Sequence, residues 1–143
     1  MNVETILRGK GRNVITIAPD ASVKAAAELL RRHGIGALVV SRDGATLDGI
    51  LSERDIVHGL AEHGGAALDY AVARLMSPRV VTGTASDSIA ELMALMTERR
   101  IRHIPVVEHG RLAGIISIGD VVKNRLDEVE SEASSMREFI AGT

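Results

Sequence analysis

Cysteine is absent from this 143-residue sequence, and Tyr70 and Phe139 are its only tyrosine, phenylalanine or tryptophan residues. Without cysteine the chain has no thiol nucleophile, no disulfide bond and no cysteine-ligated zinc. This composition fits a reducing compartment, so we expect a cytoplasmic protein. The scarcity of aromatic rings argues against nucleic-acid binding by base stacking, which needs aromatic platforms.

Strong charge bias and long apolar runs are also missing. The formal net charge is −2, and no basic run offers a surface for a phosphate backbone. The first eleven residues are charged and lack the apolar segment of a secretory signal. No run approaches the ~20 apolar residues that cross a bilayer. We therefore expect no nucleic-acid and no membrane partner, and one compact domain or two small, closely packed ones.

The chain does contain an internal repeat, with an offset of about 66 residues. Residues 49–55 read GILSERD and residues 114–120 read GIISIGD. Residues 33–40 and 99–106 also correspond. A repeat of this length usually means two copies of one structural unit that bury a face against each other.

Each copy has the pattern of a β-α-β-β-α unit. In the first we predict strands over 14–17, 37–40 and 47–51, a helix from Ser22 to about Gly34, and a second helix opened by Ser52. Residues 62–73 are predicted to be a linker.

The second copy follows the same order. We predict strands over 80–82, 104–107 and 112–116, a helix capped by Ser86 or Ser88, and a last helix opened by Ser117. In the first of these helices, Met93 and Met96 are both expected to fill the core.

The last helix carries apolar residues at steps of 4, 3, 4, 3 and 4: Val122, Leu126, Val129, Ala133, Met136 and Ile140. Such a stripe is typical of a two-helix seam. Two interpretations stay open, packing on its own domain and contact with another subunit. Ser134 and Ser135, near the middle, are expected to weaken the helix.

The repeated Ser-x-x-Asp sequence has two interpretations. Taken alone, Ser52 with Asp55, or Ser117 with Asp120, is close to a capping box at a helix N-terminus. The same N-terminus also suits phosphate, and an acceptor-only carboxylate suits two ribose hydroxyls. The preceding glycines are expected to permit close approach to the backbone. Because the pattern occurs twice at the same place in the unit, it indicates a mononucleotide cradle.

These motifs resemble a tandem pair of cystathionine β-synthase (CBS) domains, also called a Bateman module. The resemblance predicts repeat one over 10–62, repeat two over 74–127 and a helical extension over 128–143. With only this extension attached to the pair, the chain is similar to small stand-alone bacterial proteins. The resemblance implies an α+β fold of two β-α-β-β-α repeats with pseudo-two-fold symmetry and a long C-terminal helix. It also implies a homodimer shaped as a flat disc of four repeats.

In this family, each cleft between repeats can hold an adenosyl ligand, such as AMP, ADP, ATP, S-adenosylmethionine or NAD(H). The Asp binds the ribose hydroxyls, and the Ser or Thr lies near the phosphates. The first site implied here comprises Ile15, Ile35, Gly36, Ala37, Ile115, Ser117 and Asp120. The second comprises Ile50, Ser52, Arg54, Asp55, Val81, Ile101, Arg102 and His103.

The two clefts are expected to differ in charge. In similar modules, basic residues at the positions of Arg102 and His103 face phosphate, whereas repeat one has Gly36 and Ala37 there. The second cleft should therefore suit a polyphosphate, with or without Mg²⁺, or a dinucleotide. The first is expected to lack cations of its own unless Arg54 or Arg102 reaches across, and to hold a monophosphate or nothing.

Two functions stay open. The first is allosteric sensing of an adenine nucleotide or NAD(H), which changes the module's conformation and signals to an effector protein that the sequence does not name. The second is a ligand-free homodimerisation scaffold. Catalysis is not expected, because Ser52 is not on a nucleophile elbow and shares a cap with Asp55. No metal site is expected, because the histidines lack ligand spacing.

Overall fold

The computed structural model describes residues 1–142 and confirms the α+β fold with two related units. The helices are α1 (Val3–Lys10), α2 (Val23–His33), α3 (Glu53–His63), a 3₁₀ helix (Gly64–Asp69), α4 (Val72–Leu75), α5 (Ile89–Arg99) and α6 (Ile118–Ala141). The strands are β1 (Thr16–Ile17), β2 (Ala37–Val40), β3 (Gly49–Ser52), β4 (His103–Glu108) and β5 (Arg111–Ser117).

Repeat one is a three-stranded sheet covered by helices. Strand β2 lies in the centre, parallel to β1 and antiparallel to β3, and all four of its residues are buried. Ser22 caps α2 by accepting a hydrogen bond from the Ala25 N–H at 3.1 Å. Gly34 ends α2 in the left-handed conformation, with φ of 61°. The capping signals in the sequence therefore predicted α2 correctly, although β1 is shorter than residues 14–17.

In repeat two the predicted strand over 80–82 is wrong. Gly83 alone bridges to β4, through hydrogen bonds with Pro105 and Val107 of 3.0 and 2.9 Å. The chain turns directly afterwards, because the Asp87 carboxylate accepts from the Thr84 N–H at 2.9 Å. The sheet of repeat two therefore has β4 and β5 as its named strands.

The segments before each repeat are exchanged. Helix α1 precedes repeat one but buries Val3, Ile6 and Leu7 in the core of repeat two. The predicted linker is ordered, and its Val72 is buried in the core of repeat one. Each repeat is therefore completed by the segment that precedes the other, which ties the two units together.

The helical phase decides which methionine of α5 enters the core. Ile89, Leu92 and Met96 lie on the buried face of α5, and Met96 is 2% exposed. Met93 is 39% exposed, so its predicted place in the core is wrong.

Helix α6 is continuous through Ser134 and Ser135, so these residues do not interrupt it. It packs on its own domain near its start, where Val121 is buried. The predicted apolar stripe does not make this contact, because Leu126 and Met136 are 59% and 60% exposed. Packing of the stripe on its own domain is therefore wrong for this chain. Among the residues described, no helix is long and apolar enough to span a membrane.

Candidate functional site

Both Ser-x-x-Asp motifs form capping boxes. The Ser52 Oγ accepts from the Asp55 N–H at 3.2 Å, and Asp55 Oδ2 accepts from the Ser52 N–H at 2.9 Å. Ser117 and Asp120 make the same pair of bonds at 3.1 and 2.9 Å. The boxes begin α3 and α6, so each strand after a hairpin delivers its Ser directly to a helix N-terminus.

The capping role leaves part of each carboxylate available. Within residues 1–142 the protein's hydrogen bonds to Asp55 and Asp120 all use Oδ2. Oδ1 of each side chain therefore has room for further donors, since an ionised carboxylate offers about four lone-pair sites. The capping and the ligand-binding interpretations are thus compatible.

The glycines before the motifs have a packing role instead. A Cβ at Gly49 would lie 2.6 Å from Met76 Sδ and 2.9 Å from the Ser77 carbonyl oxygen. A Cβ at Gly114 would lie 2.6 Å from a Leu7 methyl group. The expectation that these glycines leave room for close approach to the backbone is wrong, because Met76, Ser77 and Leu7 already occupy that space.

The first predicted set of residues lines one cavity of about 420 Å³. All seven members border it: Ile15, Ile35, Gly36, Ala37, Ile115, Ser117 and Asp120. The cavity lies between the repeats, with the α6 capping box at its wall. Its volume lies within the ~300–1,000 Å³ of small-molecule sites.

Lys10 gives this first cavity a cation, so the expectation that it has none of its own is wrong. Lys10 is the last residue of α1, and its Nζ donates to Asp120 Oδ2 at 2.7 Å and to the Ile115 carbonyl at 3.0 Å. Partial burial works to raise the pKa of Asp120, but the hydrogen bonds from Lys10 and Ser117 outweigh it and lower the pKa. Asp120 is therefore ionised at neutral pH and already held by a positive group.

The second predicted set lines a larger cavity of about 610 Å³. Seven of its eight members border this cavity: Ile50, Ser52, Arg54, Asp55, Ile101, Arg102 and His103. Val81 does not. The reason is the missing strand over 80–82, since only Gly83 remains beside β4.

Arg100 is a third arginine at the border of the second cavity, beside Arg54 and Arg102. It ends α5 with a φ of 55°, where the corresponding residue of repeat one is Gly34. The Arg54 guanidinium donates to the Arg100 carbonyl at 3.4 Å across the two repeats. A left-handed backbone is unfavourable for a residue with a Cβ, and such positions cluster at functional sites.

His103 and Gly36 border both cavities. A Cβ at Gly36 would lie 3.3 Å from His103 Cε1 and 2.8 Å from Glu53 Oε1, so the missing side chain makes room for the imidazole. Burial lowers the pKa of His103, and the charge of Lys10 lowers it further against Asp120 and Glu53. His103 is therefore neutral at pH 7. Because the unfolded chain takes up this proton more readily than the folded one, the free energy of unfolding should decrease as the pH drops through the ordinary histidine value of about 6.5.

We expect Lys10→Met to raise the pKa of both Asp120 and His103. Lys10 lowers the first through a hydrogen bond and the second through its charge. NMR titration of the carboxyl and imidazole carbons measures both values. Arg8→Met is the matched control, since Arg8 is on the same helix with its side chain 77% exposed. Unchanged pKa values in Lys10→Met would contradict this geometry.

A further groove of about 510 Å³ lies between α2 and α3, bordered by Leu30, Ile56 and Val57 among others. Glu53 borders this groove, but neither capping-box aspartate does, so the groove lacks the repeated motif that the other two cavities share. No group of three or more metal-ligating side chains occurs in the part of the chain that the structure describes. The two inter-repeat cavities are therefore the candidate sites.

Comparison with known families agrees with this architecture. A profile of the CBS domain matches residues 10–62 and again residues 72–127. The chain belongs to the CBS-domain family. The resemblance stated from the two motifs is therefore confirmed.

Related CBS-domain proteins match along most of this chain. YhcV from Bacillus subtilis is 32% identical over 123 residues, which cover 86% of each chain. The crystal structure of ATU1752 from Agrobacterium tumefaciens is 48% identical, with a TM-score of 0.84 over 87% of this chain and 92% of its own. PAE2072 from Pyrobaculum aerophilum, complexed with AMP, is 25% identical with a TM-score of 0.75 over 84% and 89%.

Sequence reasoning missed Lys10, Glu53, Ser77 and Arg100 at the two cavities. One signal was present for Arg100, because it stands where the other repeat has Gly34. Lys10 lies outside the predicted elements, and its contact with Asp120 joins residues 110 positions apart. No local pattern predicts such a contact.

Proposed function

We propose that this CBS pair is a regulatory module that senses an adenosine-containing ligand. The observation that carries the proposal is that each inter-repeat cavity has a capping-box aspartate at its wall, and the hydrogen bonds that residues 1–142 make to these aspartates all use Oδ2 and leave Oδ1 for a ligand. The AMP complex of PAE2072 supports an adenosine ligand in this fold. AMP, ADP, ATP, NAD(H) and S-adenosylmethionine share the adenosine part that these cavities would recognise.

The residues present fit such a ligand. Asp55 and Asp120 would accept from the ribose hydroxyls through Oδ1, since ionised carboxylates only accept hydrogen bonds. The Ser52 and Ser117 helix N-termini favour phosphate. Aliphatic side chains such as Ile101 and Ile115 would pack against the base.

The cavities should differ in the phosphate they prefer. The second has Arg54, Arg100 and Arg102 at its border, which suits a polyphosphate, with or without Mg²⁺, or a dinucleotide. The first has Lys10, which already pairs with Asp120 and suits a monophosphate. A ligand there must compete with Lys10 for Asp120, or engage Lys10 through its phosphate.

The regulatory role needs no catalytic group. Ligand binding between the repeats would shift the population of two inter-repeat arrangements, and an effector protein would read that shift. We propose that the module acts as a homodimer in the cytoplasm.

The alternative function is a homodimerisation scaffold that binds no ligand. It is favoured by the completeness of the two capping boxes, which fully account for both serines and one oxygen of each aspartate. In this case the cavities would be by-products of packing two sheets together.

A thermal-shift panel separates the two functions. Nucleotide-free protein is heated with AMP, ADP, ATP, NAD⁺, NADH or S-adenosylmethionine, with and without Mg²⁺. A ligand at ~100 times its dissociation constant stabilises the fold by about 2.7 kcal/mol, which raises Tm by several degrees. A shift with at least one ligand supports the sensor, and no shift with any of them supports the scaffold.

A further inference from the structure

Helix α6 packs one face against its own domain and exposes the opposite face to solvent. Val121 is buried, and Asn124 and Glu128 are half-buried, one turn apart along the side that contacts α5 and β5. From 129 to 142 every residue except Ala133 is exposed. About 20 Å of helix therefore extends past the domain at 1.5 Å per residue. An isolated helical segment of this length is marginal in water.

The exposed face is apolar and follows a heptad. Val122, Val129 and Met136 occupy d positions, and Leu126, Ala133 and Ile140 occupy a positions. Leu126 is 59% exposed and Val129 is 46% exposed. The half-buried Asn124 and Glu128 fall at f and c, opposite the seam. A helix that already buries its c and f face has its a and d face available for a second helix.

The flanking charges select how that second helix is oriented. In a parallel, in-register pair of α6 helices, position g faces the e position of the partner's next heptad. This rule pairs Arg125 with Glu130 of the partner subunit and Glu132 with Arg137 of the partner subunit, so both pairs attract. Arg125 bonds Glu128 of its own helix at 3.1 Å, but the Arg125 side chain is 61% exposed, so it costs little to exchange this partner for another.

An antiparallel pair in the register that overlaps the whole seam brings like charges together. There e faces e and g faces g, so Glu130 meets Glu130 of the partner subunit and Glu132 meets Glu132 of the partner subunit. Lys123 would also meet Arg137 of the partner subunit. Like charges disfavour this orientation.

We propose that α6 pairs with α6 of a second copy as a parallel, in-register coiled coil. This rests on the homodimer proposed above and names its surface and orientation. Because α6 starts at the end of repeat two, a parallel pair places repeat two beside repeat two of the other copy. Asp120 is the third residue of α6, so the first cavities of both copies border the N-terminal end of the coiled coil. A ligand in that cavity can therefore change the angle between the subunits.

Single-cysteine variants of the full chain test the orientation, because the natural sequence has no cysteine. A disulfide needs Cα atoms within ~7 Å, which the a positions of a parallel pair satisfy. We expect Leu126→Cys to form dimers rapidly under mild oxidation. Asp127→Cys, one residue away on the outer b position, is the matched control and should cross-link at least tenfold more slowly.

The outcomes separate this inference from the proposed dimer. Cross-linking of Leu126→Cys only when it is mixed with Met136→Cys means antiparallel helices and overturns the orientation. If light scattering shows a dimer but Leu126→Cys cross-links no faster than Asp127→Cys, the helix pairing is overturned and the proposed dimer stands. A monomeric wild-type protein overturns both.

Charge reversal gives a second test that does not depend on oxidation. Arg137→Glu would place Glu132 against a glutamate of the partner and should weaken the dimer roughly fivefold in sedimentation equilibrium at low salt. Adding Glu132→Lys to Arg137→Glu should restore the wild-type dissociation constant. A double variant as weak as the single one would overturn the proposed pairing.

Discussion

Replacing Asp120 by alanine is expected to weaken adenosine-ligand binding in the first cavity by ~10- to 150-fold. Hydrogen bonds to a charged group are worth about 1.5–3 kcal/mol, and each 1.4 kcal/mol is a factor of ten in affinity. The proposed function has this carboxylate accept from both ribose hydroxyls through Oδ1. Isothermal titration calorimetry with AMP measures the change.

Two variants serve as controls for this prediction. Asp55→Ala makes the same change in the second cavity, so comparison of the two shows which cavity the ligand fills. Ser88→Ala removes a helix cap of α5, where the Ser88 Oγ accepts from the Glu91 N–H at 3.0 Å away from both cavities. Ser88→Ala should cost about 1 kcal/mol of stability and no affinity. If neither aspartate variant weakens binding more than Ser88→Ala does, the aspartates are caps alone.

Replacing Leu7 by alanine is expected to destabilise the chain by about 2–5 kcal/mol. Leu7 is 1% exposed in the core of repeat two, and its methyl group occupies the space that Gly114 leaves open. Truncation removes apolar burial and leaves a cavity, the usual cause of a loss of this size. Urea unfolding measures the free energy of unfolding.

The matched control for Leu7 is Leu60→Ala on α3. Leu60 is 37% exposed, so the same truncation should cost below about 1 kcal/mol. Leu7→Ala should also weaken the contact between Lys10 and Asp120, because Lys10 is the last residue of the same helix. A Leu7→Ala cost equal to that of Leu60→Ala would contradict the place of α1 in the second core.

Local chemistry made most of the fold predictable. Ser22, Ser52 and Ser117 each cap a helix as the sequence predicts, because a cap depends on residues at most three positions away. A short, continuous apolar run predicted the buried strand β2 for similar local reasons. Helix α1 was not predicted, because its apolar residues have no partner within their own repeat and pack against the other one.

The residues of the candidate site were predicted from the repeated motif and the family resemblance, not from the geometry of the fold. The two motifs located Asp55 and Asp120, and the structure brings fourteen of the fifteen predicted residues to the two cavities. Their role in binding stays a prediction. The role of Lys10 could not be predicted, because its contact with Asp120 depends on how the exchanged segment α1 packs on repeat two.

Calorimetric titration of nucleotide-free wild-type protein with AMP, followed by ATP, tests the central claim most directly. The proposed function predicts saturable binding of at least one of the two, which is lost when Asp55→Ala and Asp120→Ala are combined. Equal binding by the double variant, or no binding by wild-type protein with these or the other adenosyl ligands, would contradict a ligand sensor and leave the scaffold.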